Sequence, residues 1–177
     1  MFVGAIHQEA TPNGDSVIWF LEEVFPKIQQ RLGSDITLTI AGVNNSKRIN
    51  QLAGSSVRVT GYLPDLTELY AEARVFIAPT RYAAGLPHKV HEAAARGLPV
   101  VATPLLASQL GWEDGSQILV GSDPESFANK CIALYTDESL WMKLRTAALD
   151  RITTECSREV FEACLKEIVT GPETSRE

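Results

Sequence analysis

Arg81, Gly85, His88, Lys89 and Glu92 are the residues whose types and spacing could do chemistry together. Gly85 leads into a predicted helix over His88–Arg96, and His88 and Lys89 fall in its first turn. A helix N-terminus offers unpaired backbone N–H groups and a positive dipole end. Phosphate is a common guest there. Gly85 lets a ligand approach the backbone with no Cβ in the way. Lys89 and Arg81 supply positive charge. Glu92 follows Lys89 by one helical turn and shares its face. A carboxylate there suits the paired hydroxyls of a ribose whose diphosphate sits at the helix start. The same spacing also describes local ion pairs from His88 and Lys89 to Glu92, and taken alone it favours that simpler reading. Val90, Ala93, Ala94 and Ala95 form the packing face.

The elements that must hold these residues alternate in type. Phe2–Ile6 reads as a buried strand. From Asp15 onward Ile18, Leu21, Phe25, Ile28 and Leu32 recur at helical spacing, and Pro26 is expected to kink or divide that helix. Strands are predicted over 36–41, 57–60, 75–78, 99–102 and 117–120. Helices are predicted over 46–53, 64–73, with Pro64 in its first turn, and 88–96. Three more close the chain, over 124–135, 138–155 and 158–169. Such alternation implies an α/β fold: a doubly wound, Rossmann-like parallel sheet of about six strands with helices on both faces. Ligands then bind beyond the carboxyl ends of the strands. The loops that matter are 7–14, 42–45, 61–64 and 79–86.

Composition narrows the partners. The chain has 177 residues, 45% hydrophobic and 21% charged, with a formal net charge of -6. That is one soluble domain, here residues 1–170, with a frayed tail over 171–177. An acidic chain without a basic run is a poor partner for nucleic acid. No segment is long and apolar enough to span a membrane. Cys131, Cys156 and Cys164 show no metal-ligand spacing and read as free thiols in a reducing cytoplasm. No carboxylate cluster for a metal is visible. Met1 is followed at once by the strand-like FVGAI, so the chain reads as a piece of a longer protein.

The stretch GLPHKVHEAAARGLPVVAT resembles the signature of group 1 glycosyltransferases, the large family 4 class with the GT-B fold. Members carry Gly-x-x-x-Lys-x-x-Glu-Ala before Gly-x-Pro-Val-Val-Ala. FVGAIHQEATPNGDSVIWFLEEVFPKI, LTIAGVN, VRVTGYLPDLTELYAEARVFIAPTRYAAG and ILVGSDPESFANKCIALYTDESLWMKLRTAAL follow in the family's order. The resemblance covers about Phe2 to Leu165. It implies a C-terminal domain that binds a nucleotide-sugar donor, a UDP- or GDP-sugar, with no other cofactor or metal. The intact enzyme would transfer that sugar to an acceptor, with retention of configuration, in glycan or bacterial polysaccharide biosynthesis. The N-terminal acceptor domain is absent from this chain, and this half alone would be inactive. The last helices would return to that domain and carry an apolar outer face.

Carried over residue by residue, Glu92 matches the glutamate that holds the ribose. Lys89 matches the lysine that serves the diphosphate or braces Glu92. Gly85, Leu86 and Pro87 match the loop beside phosphates and sugar. Tyr62 and Leu63 match positions bordering the base, although Tyr62 reads equally as packing. Gly4 matches the glycine ending the first strand.

Two departures stand out. Many members place a glutamate eight residues before Glu92, where this chain has Ala84. Arg81 and His88 are the candidate substitutes for a catalytic role, unranked. Many also carry an Arg and a Lys after the first strand, where this chain reads HQEATPNGD. Asn13 and Asp15 match the branch lacking that pair, and read first as helix caps. His91 reads as a surface residue. Trp19 and Trp141 read as packing, whereas Trp112 is a candidate ring for stacking on sugar. A nucleotide-sugar epimerase half and a non-catalytic interaction module of the same fold are the alternatives.

Overall fold

The computed structural model describes residues 1–171. The expected frayed tail lies, from residue 172 onward, outside the described residues. Among the described residues six strands are present: β1 (Phe2–Val3), β2 (Leu38–Ala41), β3 (Val57–Gly61), β4 (Phe76–Ala78), β5 (Val100–Ala102) and β6 (Leu119–Val120). They form two three-stranded parallel sheets, β1-β2-β3 and β4-β5-β6, rather than the single sheet expected. The strands at the junction are very short, so the ladder does not run through. One parallel-type link joins the sheets at Met1. Its amine donates to Val75 O at 2.6 Å, and Ile77 N–H donates to Met1 O at 2.9 Å. The strands therefore lie in the order β3-β2-β1-β4-β5-β6, with the order reversing between β1 and β4.

Both faces are covered, as buried parallel strands require. The pleat divides the strand residues between two cores. Ile77 and Val101 point into one with Phe2, Ile40, Phe20 and Phe127. Phe76, Ala78, Val100 and Ala102 point into the other with Val90, Ala93, Ala94 and Leu106. Each large aliphatic side chain so buried contributes about 1.5–3 kcal/mol.

The first long helix runs as α1 (Pro12–Trp19), a π-helical turn (Phe20–Val24) and α2 (Phe25–Leu32). Pro26 explains the division. It has no N–H to give, and its ring crowds the carbonyl four residues back. The wider turn just before it relieves that conflict, with Phe25 N–H reaching back to Phe20 O. The remaining early helices are α3 (Lys47–Leu52), α4 (Thr67–Glu72) and α5 (His88–Ala95). α4 is shorter than predicted, and Pro64 lies outside it. Asp65 stops the helix from starting sooner, because its carboxylate accepts from Thr67 N–H at 2.9 Å. An unforeseen helix, α6 (Pro104–Leu110), fills the β5–β6 connection, with Pro104 in its first turn and Gly111 left-handed at its end. The closing helices are α7 (Pro124–Thr136), α8 (Glu138–Cys156) and α9 (Arg158–Thr170). Asp123, Asp137 and Ser157 cap their N-termini.

Candidate functional site

The loops after β1 and β4 meet at the reversal of strand order, where open α/β sheets form their ligand crevice. Lys89 lies between them. Its ammonium stands 4.5 Å from the centre of the Phe2 ring and donates to Asn13 Oδ1. Burial pulls its pKa from the ordinary 10.5 down to about 8. Asn13 is held in turn by Ala5, whose carbonyl accepts from Nδ2 at 2.9 Å. Gly4 makes this possible: a Cβ there would stand 2.9 Å from Asn13 Nδ2. Asn13 is thus a bridge and not a cap. The cap of α1 is Thr11, whose hydroxyl accepts from Gly14 N–H at 3.3 Å.

Asp15 does not cap either. It takes both arms of Arg81, Nε to Oδ2 at 2.9 Å and Nη2 to Oδ1 at 2.5 Å. That pairing raises the Arg81 pKa further. Arg81 also lies 5.6 Å from the Trp19 ring centre. Its charge is therefore already matched by a carboxylate, whereas Lys89 faces a neutral amide. Of the two cations, Lys89 is the one whose charge the contacts leave for an anion.

The loop from Thr80 to Pro87 is tied down on both sides. Thr103 donates to Thr80 O at 2.5 Å, and Gln109 Nε2 donates to Ala83 O at 3.1 Å. On the α1 side Tyr82 donates to Ala10 O at 2.5 Å. Gln109 went unnoticed in the sequence because α6 did. Gly85 has φ 87°, the left-handed region that favours glycine, and nothing within 4 Å of a built Cβ. Leu86 and His88 are exposed and Pro87 is buried. Hydrogen bonds from His88 N–H to Leu86 O and from Val90 N–H to Pro87 O shape the entry to α5.

Glu92 lies one turn further along α5 and does not meet Lys89. Its partner is Arg96, at 3.5 Å from Nε to Oε1. The i,i+4 spacing of Glu92 and Arg96 was the sequence signal for this pair. Arg96 reaches Thr67 Oγ1 at 3.2 Å and lies 4.7 Å from the Tyr70 ring centre. That joins α5 to α4, which follows Tyr62 and Leu63. Tyr62 is 73% exposed, so packing does not account for it.

Two further expectations fail. Trp112 is 4% exposed, and its Nε1 donates to Glu155 Oε2 at 3.3 Å, so it cannot stack on a sugar. His91 is half-buried against Trp112, ring centres 5.7 Å apart, because α8 covers that side of α5. Desolvation lowers its pKa. A cavity of about 400 Å³ lies at the opposite end of the strands, lined by Thr37, Leu38, Arg74 and Val75. Among the described residues no group of His, Cys, Asp and Glu is placed to hold a metal ion, and no helix is long and apolar enough to cross a membrane.

Comparison with known proteins follows the same outline. No curated protein matches the chain. Among solved structures it is similar to Anabaena HepE in complex with UDP-glucose, at TM-score 0.75 and 16% identity, covering 97% of this chain and 49% of that one. It is similar to WaaG, a glycosyltransferase involved in lipopolysaccharide biosynthesis, at TM-score 0.69 and 19% identity, covering 97% and 46%. It is also similar to the C-terminal domain of LpcC, a group 1 family glycosyl transferase from Francisella tularensis, at TM-score 0.69 and 16% identity, covering 89% and 85%. At these identities the likeness is one of fold. The chain spans about half the length of HepE and WaaG. A family model described as glycosyl transferases group 1 matches residues 1–137, most of the chain, and the chain belongs to that family.

Proposed function

We propose that this chain is the donor-binding half of a GT-B glycosyltransferase. The observation that carries the reading is Lys89, a desolvated cation at the start of α5, at the crevice between β1 and β4, whose hydrogen bond goes to the neutral Asn13. A diphosphate there meets the ammonium and the positive end of α5 in partial exclusion of water, where such contacts are strongest. The same groups would stabilise the charge that grows on a departing nucleoside diphosphate. Glu92 then takes the ribose hydroxyls, and Tyr62 and Leu63 border the base. Gly85 and Leu86 flank the sugar, with Arg81 and His88 the candidate groups nearest to it.

Family membership and the UDP-glucose complex of the similar HepE favour a nucleotide-sugar donor. The family resemblance extends the reading to the whole enzyme. It would transfer a sugar with retention of configuration in glycan or polysaccharide biosynthesis, in the cytoplasm, needing no metal or further cofactor. Acceptor binding belongs to an N-terminal domain outside this chain. Titration of the 177-residue chain with uridine, guanosine and adenosine diphosphates, read by NMR line broadening and melting temperature, tests the donor site. Binding of at least one is expected. A folded chain that binds none of them sinks the reading. Unchanged binding by Glu92→Ala sinks the ribose assignment alone.

A second reading is a non-catalytic module that keeps the fold for protein contact. Ala84 and the neutralisation of Arg81 by Asp15 favour it. The titration separates the two.

A further inference from the structure

We propose that Arg96 is a positioning residue. It orients the Glu92 carboxylate so that the site prefers ribonucleotides to 2′-deoxyribonucleotides. The inference rests on the donor-site reading and adds to it a residue and a selectivity.

Glu92 on its own is poorly suited to select paired hydroxyls. Its side chain is 46% exposed on one turn of α5. A free glutamate samples several rotamers, and ordering it opposes binding. Hydrogen bonds to two adjacent hydroxyls tolerate little error in direction. Something must hold the carboxylate still.

Arg96 meets that need because it touches Glu92 and is itself held at two other points. Nε lies 3.5 Å from Glu92 Oε1, Nη1 donates to Thr67 Oγ1 at 3.2 Å, and the guanidinium rests 4.7 Å from the Tyr70 ring centre. Each anchor is fixed further back. The Thr67 hydroxyl donates to Asp65 Oδ1 at 2.7 Å, and Thr67 N–H reaches the same oxygen. Tyr70 is 5% exposed and stacks on Phe76 with 7° between the rings. A loose surface ion pair contributes little. One arm of a pre-anchored guanidinium no longer loses its freedom when the carboxylate arrives.

The arrangement has a direction. Asp65, Thr67, Arg96 and Glu92 form a polar chain from the loop that carries Tyr62 and Leu63 to the ribose position. The Arg96 contact falls on Oε1 of Glu92, which leaves Oε2 to the ligand. Tyr70 Oη is buried with no hydrogen-bond partner among the described residues, and burial first, then the Glu92 charge, raises its pKa.

The test uses the 177-residue chain and whichever nucleoside diphosphate binds tightest, with its 2′-deoxy counterpart. Losing one hydrogen bond to a charged acceptor predicts a wild-type preference of about tenfold for the ribonucleotide. Arg96→Ala is expected to cut that preference to about threefold, as the carboxylate regains its rotamers, and to bind the 2′-deoxy compound about as well as wild type. Arg96→Gln, which keeps a donor for Thr67, serves if the alanine variant melts early. An unchanged preference overturns the proposal. So does tighter ribonucleotide binding by Arg96→Ala, which would make Arg96 a competitor for Glu92. A wild-type chain that binds no nucleotide overturns the donor reading, and this inference falls with it.

Discussion

Lys89 gives the sharpest test of the site, because proton linkage predicts two opposite slopes over one pH range. The free chain holds its ammonium at a pKa of about 8, lowered by burial. A bound diphosphate, whose last proton leaves near pH 6, returns the favourable field that burial removed. The pKa in the complex then moves back toward the ordinary value of 10.5. Binding must therefore take up a proton above pH 8, and affinity should fall about tenfold between pH 7 and pH 9. The folding equilibrium of the free chain runs the other way. Unfolded Lys89 holds its proton to higher pH than folded Lys89. The cost of a buried charge is thus present in full below about pH 8 and is relieved as pH rises toward 10.5. Lys89→Met should flatten the binding slope, take the Lys89 share out of the folding slope while leaving the opposing share of the buried Cys131 thiol, whose pKa burial raises, and weaken the nucleotide by about 10- to 100-fold at pH 7, the loss of one charge-assisted contact. Isothermal titration at pH 7, 8 and 9 measures the first slope, and urea unfolding of both proteins the second. Wild-type affinity that stays level across this range would refute the reasoning. So would a Lys89→Met variant that keeps the wild-type slope.

Three further outcomes follow from the geometry. Asp15→Asn frees Arg81 from its bidentate partner and should strengthen nucleoside diphosphate binding about two- to fivefold at low salt, an effect that added salt removes. Weaker binding instead would make the pair a scaffold. Gly121→Ala places a Cβ 2.4 Å from the Phe127 Cα at the start of α7. Overpacking of that kind costs about 2 kcal/mol, or a melting temperature lower by roughly 4–8 °C, and an unaltered melt would argue against that contact. Trp112→Phe removes the bond to Glu155 from a buried ring and should cost about 1–2 kcal/mol of stability. Its nucleotide affinity should match wild type, and a selective loss of sugar-nucleotide binding would restore Trp112 to the site.

Most of the architecture was legible in the chain. Short apolar and β-branched runs located all six strands of the described residues, and a 3.6-residue period most helices, because burial leaves its mark on local residue type and order. Pro26 announced the break in the first helix, since a missing N–H acts wherever the chain folds. The family signature brought Lys89, Glu92 and Gly85 into view. α6 escaped because its seven residues are too few to show a period. The split into two sheets escaped as well, since it depends on how far adjacent ladders extend and not on any one strand's pattern.

What the sequence by itself determined is the kind of protein and the rank of its candidate residues: an α/β domain of this family, acidic overall, with one signature segment of small, charged and apolar residues. What only the tertiary structure decided is which residues meet. Asn13 and Lys89 are far apart in sequence, yet they share a hydrogen bond because β1 and β4 lie side by side. Asp15 reaches Arg81 for the same reason, which turns two expected helix caps into the walls of a crevice. Arg96 takes Glu92, and Lys89 does not, because burial turns the lysine inward over Phe2 while the arginine stays at the surface beside Tyr70. Local order records which face of each element is apolar, but charge pairing depends on distances that exist only once those faces have packed.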